Sequence, residues 1–160
     1  MMQKILEILE NDCNTPLEQI ALMTDLSVEA VAAQIDEMEN EKIILKNKSV
    51  INWEKTNKEF VTALIELKVT PQRGEGFDKI AERIYKFPEV KSVYLMAGAF
   101  DLTVIIEGKT MKEVALFVAN RLAPMESVIS TGTHFVLKKY KDEGIIFEDD
   151  ENDCRQVISL

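Results

Sequence analysis

The 160-residue sequence predicts an α+β protein: three short helices in a helix-turn-helix order, followed by a C-terminal βαββαβ unit. Three observations carry the prediction. Apolar residues recur at helical spacing through the first 45 residues or so, the period changes from 3.6 to 2 at Phe60, and a strand–helix–strand order then occurs twice.

Met2, Ile5, Leu6 and Leu9 form the apolar face of a first helix, and Asn11-Asp12-Cys13-Asn14 supplies a turn. Thr15-Pro16-Leu17-Glu18 then reads as a capping box, with Thr at the N-cap, Pro at the first helical position and Glu at the third. The second helix runs to about Met23 with Leu17, Ile20 and Ala21 inward. Asp25-Leu26-Ser27 makes a tight turn, and Ser27 caps a third helix whose inner face is Val31, Ile35 and Met38. In a helix-turn-helix the third helix enters the major groove of DNA, although any small helical bundle has the same outline.

Charge divides the chain into three parts. Residues 1–45 hold ten acids and two lysines, a balance of −8; residues 46–140 carry +4 and residues 141–160 carry −5, which together give the net −9. Between Ser27 and Glu41 there is neither Lys nor Arg. DNA binding rests largely on cations that displace phosphate counterions, so Glu29, Asp36, Glu37 and Glu39 oppose it. Gln34 and Asn40 remain as base-edge candidates, the helix starts at Thr15 and Ser27 as amide-rich phosphate sites, and Lys46, Lys48, Lys55 and Lys58 as nearby cations. A solvated linker is the alternative reading of those lysines.

From Phe60, FVTALIELKV places Val61, Ala63, Ile65, Leu67 and Val69 on one face of a half-buried strand. TPQRGEG leads to a helix with Phe77, Ile80, Ala81, Ile84 and Tyr85 inward, Pro88 ends it, and VKSVYLMA is the second strand. A short hairpin, Ala97-Gly98-Ala99-Phe100, joins a repeat of the pattern: strand FDLTVIIE, a capping box at Thr110 and Glu113, helix MKEVALFVANRL, and a last strand through SVISTGTHFVLKKY. The order predicts a four-stranded antiparallel sheet of ferredoxin-like plan with both helices on one face. The other face, with Leu64, Val104 or Ile105, and Val136, stays partly apolar, which marks an oligomer interface.

No catalytic constellation appears, and the expectation is a protein that is not an enzyme. His134 is the only histidine, in mid-strand, with no thiol or paired carboxylate placed to work with it. Cys13 and Cys154 read as reduced thiols rather than a disulfide or a metal site. No stretch approaches the roughly 18 apolar residues of a membrane span, so the chain is expected to be cytoplasmic, without membrane contact and without a cofactor.

Two stretches of this chain are similar to the Lrp/AsnC family of leucine- and asparagine-responsive transcription regulators: QKILEILENDCNTPLEQIALMTDLSVEAVAAQIDEMENEKII, and FPEVKSVYLMAGAFDLTVIIEG with its Gly98-Ala99-Phe100-Asp101. The last strand, THFVLKKYK, also fits, and the resemblance covers about residues 3–141. It departs where family members usually have glycine, before the third helix at Asp25 and after it at Lys42, and in lacking the arginines of that helix.

The resemblance implies four regions: a helix-turn-helix DNA-binding domain over 1–46, a hinge strand or linker over 47–59, a ligand-sensing and oligomerising domain over 60–141, and an acidic tail over 142–160. Ile145, Ile146 and Phe147 of that tail read as an added strand, a docking segment or disorder. It further implies homodimers and octamers, with an amino acid as effector. Carried over by position, the effector site is Gly98, Asp101, Thr131, Thr133 and His134: glycine backbone, a carboxylate for the ammonium group, and hydroxyls for the acid group. A turn-capping carboxylate is the alternative for Asp101. Double-stranded DNA would meet Ser27, Glu29, Ala32, Ala33 and Gln34, with Lys46 and Lys48 on phosphates. The alternative function is an amino-acid-sensing oligomeric module without DNA binding of its own, acting through a protein partner.

Overall fold

In the computed structural model, which describes residues 2–71, 74 and 76–147, the chain divides at Val50 into two units. The first holds helices α1 (Met2–Asn11), α2 (Leu17–Thr24) and α3 (Val28–Asn40). Ile5, Ile20, Ala21, Val31 and Met38 form its buried core, with Leu6, Leu9, Leu26, Ile35 and Ile44 packed around them. Leu17, expected inward, is 37 % exposed because α2 begins only at that residue and turns Ile20, Ala21 and Thr24 to the core instead.

The expected capping box at Thr15 does not form. The Thr15 hydroxyl donates to the Asp12 carbonyl at 2.8 Å, so it closes the preceding turn, and α2 starts from the Pro16 carbonyl, which accepts from Ile20 N–H at 3.0 Å. Ser27 does cap α3: its Oγ accepts from Ala30 N–H at 3.2 Å.

Both turns around α3 are built on left-handed residues. Asp25 has φ 58° and Lys42 φ 63°, at the two positions where the family resemblance leads one to look for glycine. After α3, Ile43 N–H reaches the Met38 carbonyl and Lys42 N–H the Glu39 carbonyl, the paired bonds of a Schellman end. After α2, Leu26 N–H reaches Ala21 in the same way. These closures bring Leu26 and Ile44 back onto the core.

The second unit is a four-stranded antiparallel sheet in the order β2-β3-β1-β4, with β1 Val61–Val69, β2 Val90–Leu95, β3 Leu102–Gly108 and β4 Val128–Phe135. Helices α4 (Phe77–Tyr85) and α5 (Met111–Phe117) belong to this unit. Ala63, Ile65, Leu67 and Val69 of β1, Leu102, Val104 and Ile106 of β3, and Ile80, Ile84, Val114 and Phe117 of the helices make the core. Val104 is therefore on the helix face and Ile105, paired with Leu64, on the other. Tyr85 is 57 % exposed, not inward, because α4 stops there; Ile80 and Ile84 are its buried residues and Phe77 packs against the same core.

The Thr110 cap forms, with Oγ1 accepting from Glu113 N–H, but the Glu113 carboxylate takes Lys109 N–H rather than that of Thr110. After Phe117 the helix widens to a π turn over Val118–Leu122, which puts both of those residues inside.

Residues 47–59 contain no strand; they hold a 3₁₀ turn at Trp53–Lys55, with Lys58 Nζ 3.9 Å above the Trp53 ring. A strand needs a neighbouring backbone to pair with, and among the described residues none pairs with this segment. Nor is 142–147 a tail: β5 (Lys141–Asp142) and β6 (Ile145–Ile146) form a hairpin turned by Glu143 (φ 48°) and Gly144 (φ 78°). Residues 148–160, with Cys154, lie outside the described residues.

Candidate nucleic-acid interface and effector site

Helix α3 turns Val31 and Met38 inward, and the 3.6-residue repeat then fixes what faces solvent. Glu29, Ala33, Asp36, Glu37 and Asn40 are exposed and spaced as one stripe. Of the residues expected to meet DNA, Ser27, Glu29 and Ala33 are exposed, whereas Ala32 and Gln34 are half-buried on its flanks. Asp36 and Glu37 belong to the outward ridge more fully than Gln34 does, and counting from Glu29 in steps of three and four would have found them.

The amide end of α3 already has an anion. The Glu29 carboxyl is held below its ordinary value, first by its own backbone N–H and then by the Ser27 hydroxyl. A phosphate approaching these amides must compete with that carboxylate. Lys46 and Lys48 are exposed in an irregular segment that belongs to the same unit.

The expected effector residues divide between two faces of the sheet. Thr131 and Thr133 pair with Leu67 and Ile65 and so share the helix side, while His134 pairs with Leu64 on the open side. There His134 Nε2 lies 3.5 Å from Glu66 Oε2. The strand period of two prevents His134 from joining the two threonines within one chain.

Asp101 follows the hairpin, where its Oδ2 accepts from Val69 N–H at 2.8 Å and its own N–H reaches the Leu67 carbonyl at 2.9 Å. One carboxylate oxygen therefore closes the strand end beside the bulge at Lys68/Val69. Gly98, in the same hairpin, has no left-handed φ, and a Cβ there would meet nothing within 4 Å. Neither backbone strain nor packing demands glycine at that point.

Among the described residues no group of His, Cys, Asp and Glu is placed to hold a metal ion, and no helix is long and apolar enough to cross a membrane.

The sequence pattern of winged helix-turn-helix DNA-binding domains matches residues 2–44, and that of the Lrp/AsnC ligand binding domain matches residues 62–146, which takes in the β5–β6 hairpin. The chain is 50 % identical over 157 residues to the uncharacterized HTH-type transcriptional regulator YugG of Bacillus subtilis, covering 98 % of this chain and 95 % of that one. It is 30 % identical to the HTH-type transcriptional regulator FL11 of Pyrococcus furiosus, over 88 % and 89 % of the two chains.

Among solved structures, a transcriptional regulator of Neisseria meningitidis in complex with L-Met superposes with a TM-score of 0.69 at 22 % identity, over 88 % and 90 % of the chains. The feast or famine regulatory protein of M. tuberculosis complexed with L-methionine does so at 0.71 and 18 %, over 88 % and 92 %. With a helix-turn-helix unit ahead of an effector-type sheet domain, and relatives that are transcriptional regulators, this chain belongs to the Lrp/AsnC family of transcription regulators.

Proposed function

We propose that the protein regulates transcription by binding operator DNA through α3 and that an amino acid or related metabolite modulates this binding. The observation that carries the reading is the capped, left-hand-closed α3 in a chain whose two parts match the two domains of that family. On this reading Ser27, Glu29 and Ala33, flanked by Ala32 and Gln34, face the groove, and Lys46 and Lys48 take phosphates. DNA contact then depends on hydrogen bonding and fit more than on cations.

On this reading the effector sits at the strand ends, where Asp101 bonds to Leu67, the β1 partner of Thr131, with Thr133 one repeat further along the same face and Gly98 in the hairpin that precedes Asp101. Gly98, unexplained by strain or packing, leaves room for close approach of a ligand's backbone-like groups. His134 lies on the open face, apart from the two threonines. Copies of the chain pair through the open face, where Leu64 and Ile105 are half-buried and Tyr94 is 52 % exposed, as a dimer that assembles further to an octamer. The protein works in the cytoplasm.

The acidic stripe of α3 favours one second reading: a sensor module that reaches DNA through a protein partner. Electrophoretic mobility shift with the protein's own upstream DNA, at low salt and with an amino-acid panel, separates the two. A retarded band that responds to one amino acid is expected; no shift with any fragment supports the second reading.

A further inference from the structure

A cavity of about 200 Å³ opens in the second unit, between the α5–π-turn segment and the β2–β3 end of the sheet, away from the strand ends proposed for the effector. Its floor is apolar, with the buried Ile106, Val114 and Phe117, and its size falls below the roughly 300 Å³ at which sites for drug-sized ligands begin.

Four charged side chains line it, and their partners differ. Glu113 accepts Lys109 N–H at 2.6 Å, and Glu107 pairs with Lys91 at 3.7 Å. Glu89 Oε2 is shut from solvent and has no hydrogen-bond partner. Arg121 lies with its Cζ 5.9 Å from the centroid of the Phe87 ring, a contact that takes up none of the five N–H donors of the guanidinium in a hydrogen bond.

A carboxylate oxygen kept dry without a donor is costly, and a carboxylate rotates readily about its last bond. Turning that oxygen to the cavity would serve an ammonium group, while Arg121 serves an acid group and the apolar floor a short side chain. The π turn contributes to this arrangement, because it places Asn120 and Arg121 at the rim while Val118 and Leu122 go inside.

We propose that this cavity is a second small-molecule site, which takes a zwitterion of the α-amino-acid class with its ammonium group on Glu89 and its carboxylate on Arg121. The site is complete within one chain, so it does not depend on assembly or on the effector site at Gly98 and Asp101.

Calorimetry on the full chain with L-valine, L-leucine and L-methionine tests it, on wild type, Glu89→Gln, Arg121→Gln and Asp101→Asn. At least one ligand should show a binding component that weakens by about tenfold or more in both Glu89→Gln and Arg121→Gln, the scale of a lost charge-assisted hydrogen bond, and persists in Asp101→Asn. The matching primary amine and the matching carboxylic acid should each bind at least about tenfold more weakly than the amino acid.

Binding that Glu89→Gln leaves unchanged, binding lost only in Asp101→Asn, an amine that binds as well as the amino acid, or no heat with any of the three up to about 10 mM would each overturn the proposal. Unliganded thermal unfolding guards against misfolding: Glu89→Gln removes an unpartnered charge and should melt no lower than wild type. Absence of any binding component that Asp101→Asn weakens would instead count against the effector site proposed above, so the two failures are distinguishable.

Discussion

The three-helix unit buries five apolar residues and the sheet unit thirteen, among the described residues, so the part that would meet DNA rests on much the smaller core. It also carries Asp25 and Lys42 in the left-handed region, where an L-residue costs about 1–2 kcal/mol, and Asp tolerates the conformation better than Lys. The sheet unit keeps its positive φ angles to glycines and to Glu143 in a two-residue hairpin. Shape in the helical unit is therefore held by a few local closures, and in the sheet unit by a large shared interior.

The largest expected effect is on that small core. Met38→Ala should cost about 3 kcal/mol and melt residues 1–50 in a separate, earlier transition, seen as early loss of helical circular dichroism. Ile65→Ala, a truncation of similar size at the centre of β1, should lower the later transition and leave the earlier one in place. A single shared transition in both variants would erase the distinction between the units.

Next comes the α3 cap. Ser27→Ala removes the acceptor for Ala30 N–H and should cost the helical unit about 1 kcal/mol in urea unfolding. It should also blunt an acid effect. The Glu29 carboxyl sits below its ordinary 4.5, so its contribution is present above that pH and is lost as pH falls through the lower folded value; Ser27→Ala narrows that window.

The smallest change has the opposite sign. Lys42→Gly should raise stability by about 0.5–1 kcal/mol, because relief at φ 63° outweighs glycine's extra unfolded freedom. Loss of stability there would mean that the Schellman end is not strained.

Much of this comparison can be read from residue order. Ser27 followed by Val31, Ile35 and Met38 announces α3, and the alternation from Val61 to Val69 together with the repeated strand–helix order announces the sheet. Other features depend on contacts that no local pattern encodes. The Thr15 hydroxyl has two uses, capping α2 or closing the turn at Asp12, and the backbone decides between them. Lys42 in a left-handed turn contradicts its own propensity and is imposed by Ile44 packing under α3.

At the proposed effector site the sequence identifies residues by position but not by face. Thr131, Thr133 and His134 are near neighbours in the sequence, and one step of a strand separates His134 from the threonines. The Glu89–Arg121 cavity has no sequence signal at all, because 31 intervening residues and a π turn bring its two ends together.

The central claim is that an α3 stripe of acids and small residues binds DNA with few cationic contacts. Operator affinity measured across a salt series tests it directly. Lys46 and Lys48 from each of two protomers give four phosphate contacts, which predicts a slope of log affinity against log salt of about −4. A slope near the value of about −10 known for a strongly cationic repressor would contradict the account, because no such set of cations lies on this unit.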